Sequence, residues 1–156
     1  MGSKQDLSDL NGRVSFMPHN FFDPQPIIKA SAYLLRRVTH NWSDQDCVRI
    51  FKSLIPALEK SEKGTPLLIN DIVLPLSGSG SLFHERQLRQ VDIMMMVVLG
   101  AKQRTEAQFR VLLEQADPRL KVSEKYSFYL RCLAYLHMAN WPEDTTDPWD
   151  RKLRLD

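Results

Sequence analysis

The most constraining feature of the sequence is a helical stripe of apolar residues between two short apolar segments. Residues 32–39 and 66–75 are β-prone and almost continuously apolar. The residues between them that recur at helical spacing are Cys47, Ile50, Phe51, Leu54, Ile55 and Leu58. The order strand, helix, strand predicts a βαβ unit with parallel strands, and strands this apolar are typical of a sheet covered on both faces. The chain is therefore predicted to have an α/β fold.

Signals at the helix ends support this interpretation. Ser43 and Asp46 resemble a capping box before the first helix, and Gly64 follows its end, although Pro56 is expected to kink it. A further helix is predicted over 105–116, with a capping box of Thr105 and Gln108.

Three other segments are predicted from their apolar patterns. Residues 84–99 are predicted to form a helix that Gly100 ends, and residues 13–17 alternate like a short strand. Residues 121–136 fit either a strand or a helix. The residues expected to form one apolar stripe of the 84–99 helix are Leu88, Val91, Met95, Val98 and Leu99.

Composition excludes several classes of protein. The 156 residues favour one domain, predicted over 13–136, with a flexible segment at 1–12 and a polar tail at 137–156. The 21 basic and 19 acidic residues nearly balance, so neither a nucleic acid nor a membrane is an expected partner. Two cysteines and four widely spaced histidines suggest no disulfide framework and no metal site. We expect a soluble, cytoplasmic chain.

Two titratable residues lie toward the carboxyl ends of the predicted strands, where open parallel sheets bind ligands. His40 follows the first strand and Asp71 lies late in the next one. If the strands are neighbours, the two side chains meet, and a histidine beside a carboxylate is suited to act as a general base. The alternative is that His40 only caps its strand or bonds to a backbone carbonyl.

Several segments then resemble one family in the same order along the chain. Residues 33–44 closely resemble the Y-L-L-R-x-I-L-H-D-W-x-D segment of S-adenosylmethionine-dependent O-methyltransferases, both the plant caffeate type and the fungal enzymes of secondary metabolism. Residues 13–22 resemble the family's R-V-x-F-x-x-H-D-F-F segment, and residues 68–75 resemble its strand with a second catalytic acid. Residues 89–95 followed by 101–105 resemble R-x-x-D-L-x-M and G-K-E-R-T.

The resemblance implies a partial Rossmann-like methyltransferase fold. This fold is a mostly parallel sheet flanked by helices, without the first strands and the glycine-rich cofactor loop. S-adenosylmethionine is the implied cofactor, and a small molecule is the implied methyl acceptor. His40 is implied as the general base and Asp71 as the acid that orients it, while Gln103 stands where the family usually has a second acid.

The resemblance also assigns binding residues. Those implied near the cofactor's adenine and ribose are Asn20, Phe21 and Arg36. Those implied to line the acceptor pocket are Met94 and Val98.

The implied function is methyl transfer to a hydroxyl group of a small phenolic or polyketide-like secondary metabolite. The sequence departs from the family pattern at Asn41, where the family has Asp, and at Gln103, where it has Glu. The Gln103 change and the missing glycine-rich cofactor loop leave an alternative open. In that alternative the chain is a truncated, non-catalytic remnant that binds a small molecule, forms a homodimer or pairs with a full-length homologue through an exposed sheet edge near residues 13–17. A third hypothesis keeps the fold but assigns pericyclic or dehydration chemistry to the pocket.

Overall fold

The computed structural model describes residues 13–128 and 131–138. Its helices are α1 (Asp44–Glu59), α2 (Leu82–Leu99) and α3 (Glu106–Ala116), with a short 3₁₀ turn at Thr39–Asn41. Its strands are β1 (Tyr33–Arg36), β2 (Leu67–Asp71), β3 (Val73–Leu74), β4 (Arg104–Thr105), β5 (Leu120–Phe128) and β6 (Arg131–Met138).

The strands of the described residues form two sheets. The larger sheet has the order β1-β2-β6-β5, and the smaller one pairs β3 with β4 in parallel. Strands β1 and β2 are parallel, with Tyr33 opposite Leu67 and Arg36 opposite Asn70, while β6 runs antiparallel to both β2 and β5. The predicted βαβ unit is thus confirmed, and so is the partial α/β fold.

The hydrophobic core forms where α1 and α3 cover the parallel strands. The stripe predicted for α1 faces this core, and Pro56 lies on the exposed side of a helix that continues to Glu59. Residues buried in the core include Cys47, Phe51, Leu54, Leu67, Ile69, Phe109, Leu112 and Leu113. Burial of this apolar face, rather than helix propensity, holds α1 on the sheet despite the proline.

The predicted caps at Ser43, Thr105 and Gly100 are confirmed, whereas α1 ends at Glu59 with Lys60 as its C-cap, ahead of the predicted stop at Gly64. The backbone N–H of Asp46 donates to Ser43 Oγ at 3.2 Å, and Thr105 and Gln108 form both bonds of a capping box. Gly100 ends α2 with a φ of 63°, a left-handed conformation that glycine adopts without strain.

The predicted strand at 13–17 is wrong, because this segment is exposed and pairs with no strand of the described residues. The edges of the larger described sheet are β1 and β5 instead. The strand predicted over 32–39 ends earlier, at Arg36, because Arg37 takes a positive φ of 52° and turns the chain away. The segment 66–75 forms two strands, β2 and β3, rather than one, and the ambiguous segment 121–136 contributes to β5 and β6.

The apolar stripe predicted for α2 is only partly buried. Of its residues only Leu88 is buried, whereas Val98 and Leu99 are exposed. The helix packs against β3 and the 3₁₀ turn. None of the helices in the described ranges is long and apolar enough to cross a membrane.

The predicted terminal segments lie mostly outside the described residues. This is so for all of residues 1–12 and for residues 139–156 of the predicted tail. Strand β6 extends to Met138, two residues past the predicted boundary at 136.

Candidate catalytic site

The two titratable residues predicted from the strand ends are in contact. Asp71 is the last residue of β2, and His40 lies in the 3₁₀ turn that follows β1. The distance from His40 Nδ1 to Asp71 Oδ1 is 2.5 Å, and the two side chains are only 13% and 1% exposed. Parallel pairing of β1 and β2 produces this contact, since it brings both carboxyl ends to the same edge of the sheet.

The arrangement distinguishes the two ring nitrogens of His40. Nδ1 and Asp71 Oδ1 are buried, and among the described residues neither has a partner other than its counterpart. A carboxylate facing Nδ1 favours the tautomer with a proton there, which leaves the lone pair on Nε2. The imidazole is then suited to accept a proton at Nε2, with the carboxylate stabilising the resulting positive charge.

The second oxygen of Asp71 is held by the turn that carries the histidine. The hydroxyl group of Thr39 donates a short hydrogen bond to Asp71 Oδ2, and the backbone N–H of His40 lies 3.3 Å from the same oxygen. A buried carboxylate needs such donors to offset its lost hydration. The turn and the carboxylate therefore fix each other's position.

Gln103 directly precedes β4, the strand that pairs with β3 in the smaller sheet. It precedes Arg104, which pairs with Val73, two residues after Asp71. Gln103 is 2% exposed, and its backbone N–H donates to Asp92 at 2.7 Å. Both polar atoms of its side-chain amide are buried with no hydrogen-bond partner among the described residues. Buried polar groups are rarely left unpaired, so this amide is available to a ligand or a bound water.

The sequence did not single out Arg104 as a site residue. Its side chain is nevertheless only 1% exposed and contacts the turn that carries His40. It donates to the carbonyl oxygens of Thr39 at 2.7 Å and Trp42 at 2.8 Å. Its Nε donates to Asp44 at 2.9 Å. Its position in the segment 101–105, which carries the family resemblance, was the only signal that could have indicated it.

Asp44, the first residue of α1, provides the negative charge for this guanidinium. Lys102 Nζ also donates to it, at 2.7 Å. Partial burial acts to raise the pKa of Asp44, but the hydrogen bonds from Lys102 and Arg104 outweigh burial and hold the pKa below its ordinary value. The carboxylate therefore stays charged opposite Arg104.

Two residues predicted near a cofactor, Asn20 and Phe21, lie in a turn that packs against Trp42, two residues after His40. Asn20 Oδ1 accepts the backbone N–H of Phe22 at 3.2 Å, and the carbonyl of Phe21 accepts the hydroxyl of Ser53 at 2.7 Å. The rings of Phe21 and Phe22 contact Trp42, with centroids 5.5 and 4.9 Å from it. These aromatic rings are half-buried, so part of their flat surface remains accessible.

The other predicted binding residues are exposed. Arg36 is exposed at the end of the edge strand β1. Met94 and Val98 are 56% and 68% exposed on α2. The aromatic cluster thus includes Trp42, two residues after His40, and the residues predicted to contact an acceptor are exposed on α2.

Comparison with known proteins gives consistent matches. Residues 3–117 match the model of the O-methyltransferase domain family. The O-methyltransferase sol2 of Alternaria solani is 52% identical over 137 residues, which are 88% of this chain and 32% of that protein. The mitomycin 7-O-methyltransferase MmcR has a TM-score of 0.68 at 26% identity, over 85% of this chain and 36% of that one.

A third similar protein is LepI, solved in complex with S-adenosylmethionine. Its TM-score is 0.64 at 28% identity, over 78% of this chain and 29% of that one. This chain thus spans about a third of the length of the relatives it matches.

Proposed function

Because this chain belongs to the O-methyltransferase domain family, we propose that it acts in S-adenosylmethionine-dependent O-methylation, with His40 as the general base. The acceptor is a hydroxyl group on a small phenolic or polyketide-like secondary metabolite. The observation that carries this proposal is the buried contact between His40 Nδ1 and Asp71 Oδ1. The names of sol2 and MmcR, both O-methyltransferases, support the type of reaction.

The residues of this chain act on the proton of the acceptor. His40 Nε2 removes the hydroxyl proton as the acceptor oxygen becomes a nucleophile, and Asp71 stabilises the imidazolium that forms. S-adenosylmethionine, when bound, supplies the electrophilic methyl group. Methyl transfer of this kind depends mainly on proximity, orientation and one base. Gln103 offers a hydrogen bond but no charge to the site.

The residues near the turn at 20–23 fit part of this cofactor. The accessible ring surfaces of Phe21 and Trp42 suit a flat adenine, and the exposed amide of Asn20 suits a polar edge of it. We assign Asn20 and Phe21 to the cofactor on this chemistry, and Arg36 on the family resemblance alone. Met94 and Val98 offer an apolar surface to an aromatic acceptor.

The proposal is tested by exchanging histidines. His40→Asn is expected to lower the rate of methyl transfer from labelled S-adenosylmethionine to phenolic acceptors by about 10²–10⁴-fold, the usual contribution of a general base. His84→Asn replaces an exposed histidine on α2 and serves as the matched control. Calorimetric titration with S-adenosylmethionine checks that both variants keep the affinity of the unchanged chain. Full activity of His40→Asn would refute the assignment.

A second candidate function is that of a non-catalytic partner protein. It is favoured by the exposed apolar surface of α2 and by the edge strand β1, which on the side away from β2 has no strand neighbour in the described part of the chain. Such surfaces are suited to a second copy of the chain or to a full-length homologue. A folded chain that neither binds S-adenosylmethionine nor transfers methyl groups would favour this candidate over the first.

A further inference from the structure

We propose that Arg104 is a positioning residue for His40. Its guanidinium holds the backbone turn that carries the histidine, and this fixes the contact between His40 Nδ1 and Asp71. The inference rests on the proposed function, because positioning matters only if His40 acts as the base.

Arg104 donates hydrogen bonds to backbone carbonyls on both sides of His40 in the sequence. Nη1 donates to the carbonyl of Thr39 at 2.7 Å, the residue before His40, and Nη2 donates to the carbonyl of Trp42 at 2.8 Å, two residues after it. These carbonyls lie at the two ends of the 3₁₀ turn. A planar guanidinium can hold both at once because its donors are fixed in a fork, whereas a lysine ammonium is a single point of charge.

The charge of Arg104 is balanced without involving His40. Asp44 Oδ1 lies 2.8 Å from Nη2 and accepts from Nε, while its other oxygen accepts from Lys102. The Sγ of Cys47 lies 3.3 Å from the Thr39 carbonyl that Arg104 also contacts. Because Asp44 satisfies its charge, Arg104 contributes geometry to the turn rather than a catalytic charge.

Thr39 connects this clamp to the catalytic pair. Its carbonyl accepts from Arg104, and its hydroxyl donates to Asp71. Arg104 itself pairs with Val73 in the β3–β4 ladder, two residues from Asp71. Arg104 and Asp71 thus hold the turn from two sides, and the pairing of β3 with β4 fixes the position of one relative to the other. His40 therefore has little freedom to move away from the carboxylate of Asp71.

The test follows the ring nitrogens of His40 by NMR in the full chain. In the unchanged chain we expect the tautomer with its proton on Nδ1, where the proton exchanges slowly with water, and a lone pair on Nε2. Arg104→Met is expected to abolish the slow exchange and mix the two tautomers, while Arg104→Lys retains part of the signal. Arg110→Met removes an exposed arginine of α3 as the control and should change neither signal. Unaltered His40 signals in folded Arg104→Met would overturn the proposal.

A second measurement uses the unchanged chain, so it tests the proposal even if the Arg104 variants fail to fold. Hydrogen exchange in increasing urea should give the same opening free energy for the Arg104 guanidinium protons and the His40 Nδ1 proton, because one clamp protects both. Exchange of the His40 proton while Arg104 stays protected would overturn the proposal. Neither measurement requires methyl transfer, so a failure of the clamp and a failure of the proposed function are distinguishable.

Discussion

At the scale of single residues, Asp71 organises the site through both of its oxygens. Oδ1 faces His40 Nδ1, and Oδ2 accepts from the hydroxyl of Thr39. A carboxylate this deeply buried stays compatible with the fold because donors surround it. The hydrogen bonds that offset the burial of this carboxylate also orient the imidazole of His40. Asp71 thus affects both the stability of the fold and the geometry of the site.

Cys47 gives a pH-dependent prediction at this scale. Burial raises the pKa of its thiol to about 11, with a smaller opposing effect from Arg104. Above about pH 9 the unfolded thiol loses its proton while the folded one keeps it, so the free energy of unfolding should fall as pH rises toward 11. The loss should reach about 2 kcal/mol relative to Cys47→Ser, whose hydroxyl does not titrate.

Urea unfolding of both proteins between about pH 8 and pH 10.5 measures this difference. Other groups that titrate in this range are common to both proteins and cancel. A difference that stays constant with pH would contradict the prediction.

At the scale of elements, the helix caps are the features that local sequence determines best. Ser43 accepts the N–H of Asp46 at the start of α1, whereas Ser81 at the start of α2 makes no side-chain capping bond. Ser43→Ala is therefore expected to lower the free energy of unfolding by about 1 kcal/mol. Ser81→Ala, the same chemical change, should stay within about 0.5 kcal/mol. Equal losses in denaturant titrations would contradict the capping interpretation.

Local signals explain which parts of the fold could be predicted. The N-caps of α1 and α3 and the parallel strands β1 and β2 depend on residues close in sequence or on one βαβ unit, and the sequence predicts them correctly. The alternation at 13–17 indicates a strand only if a partner is present, and none of the described strands lies beside it.

The rest of the site depends on contacts between distant residues. Arg104 reaches Thr39 across 65 positions of the chain, and no periodicity reports such a contact. The apolar pattern of α2 likewise indicates a face to be covered without indicating what covers it.

At the scale of the whole molecule, α2 carries a run of exposed apolar side chains. Those at its carboxyl-terminal end are Ile93, Met94, Met96, Val97, Val98 and Leu99. Exposed apolar surface of this kind favours association. We expect Val97→Lys, at a site 75% exposed, to shift the chain toward monomer in sedimentation velocity.

The control for this prediction is Val111→Lys. It places the same charge on α3, where Val111 is 51% exposed and lies outside the α2 surface. Identical sedimentation of the two variants and the unchanged chain would contradict a role of α2 in association.

The measurement that tests the central claim most directly is a double-mutant cycle on methyl transfer with His40→Asn and Asp71→Asn. If the pair acts as one unit, Asp71→Asn lowers the rate on its own but lowers it no further once His40 is replaced. The account predicts this strong non-additivity, with the double variant as active as His40→Asn. Losses that add fully, each residue contributing whether or not the other is present, would contradict the assignment of Asp71 as the residue that acts through His40.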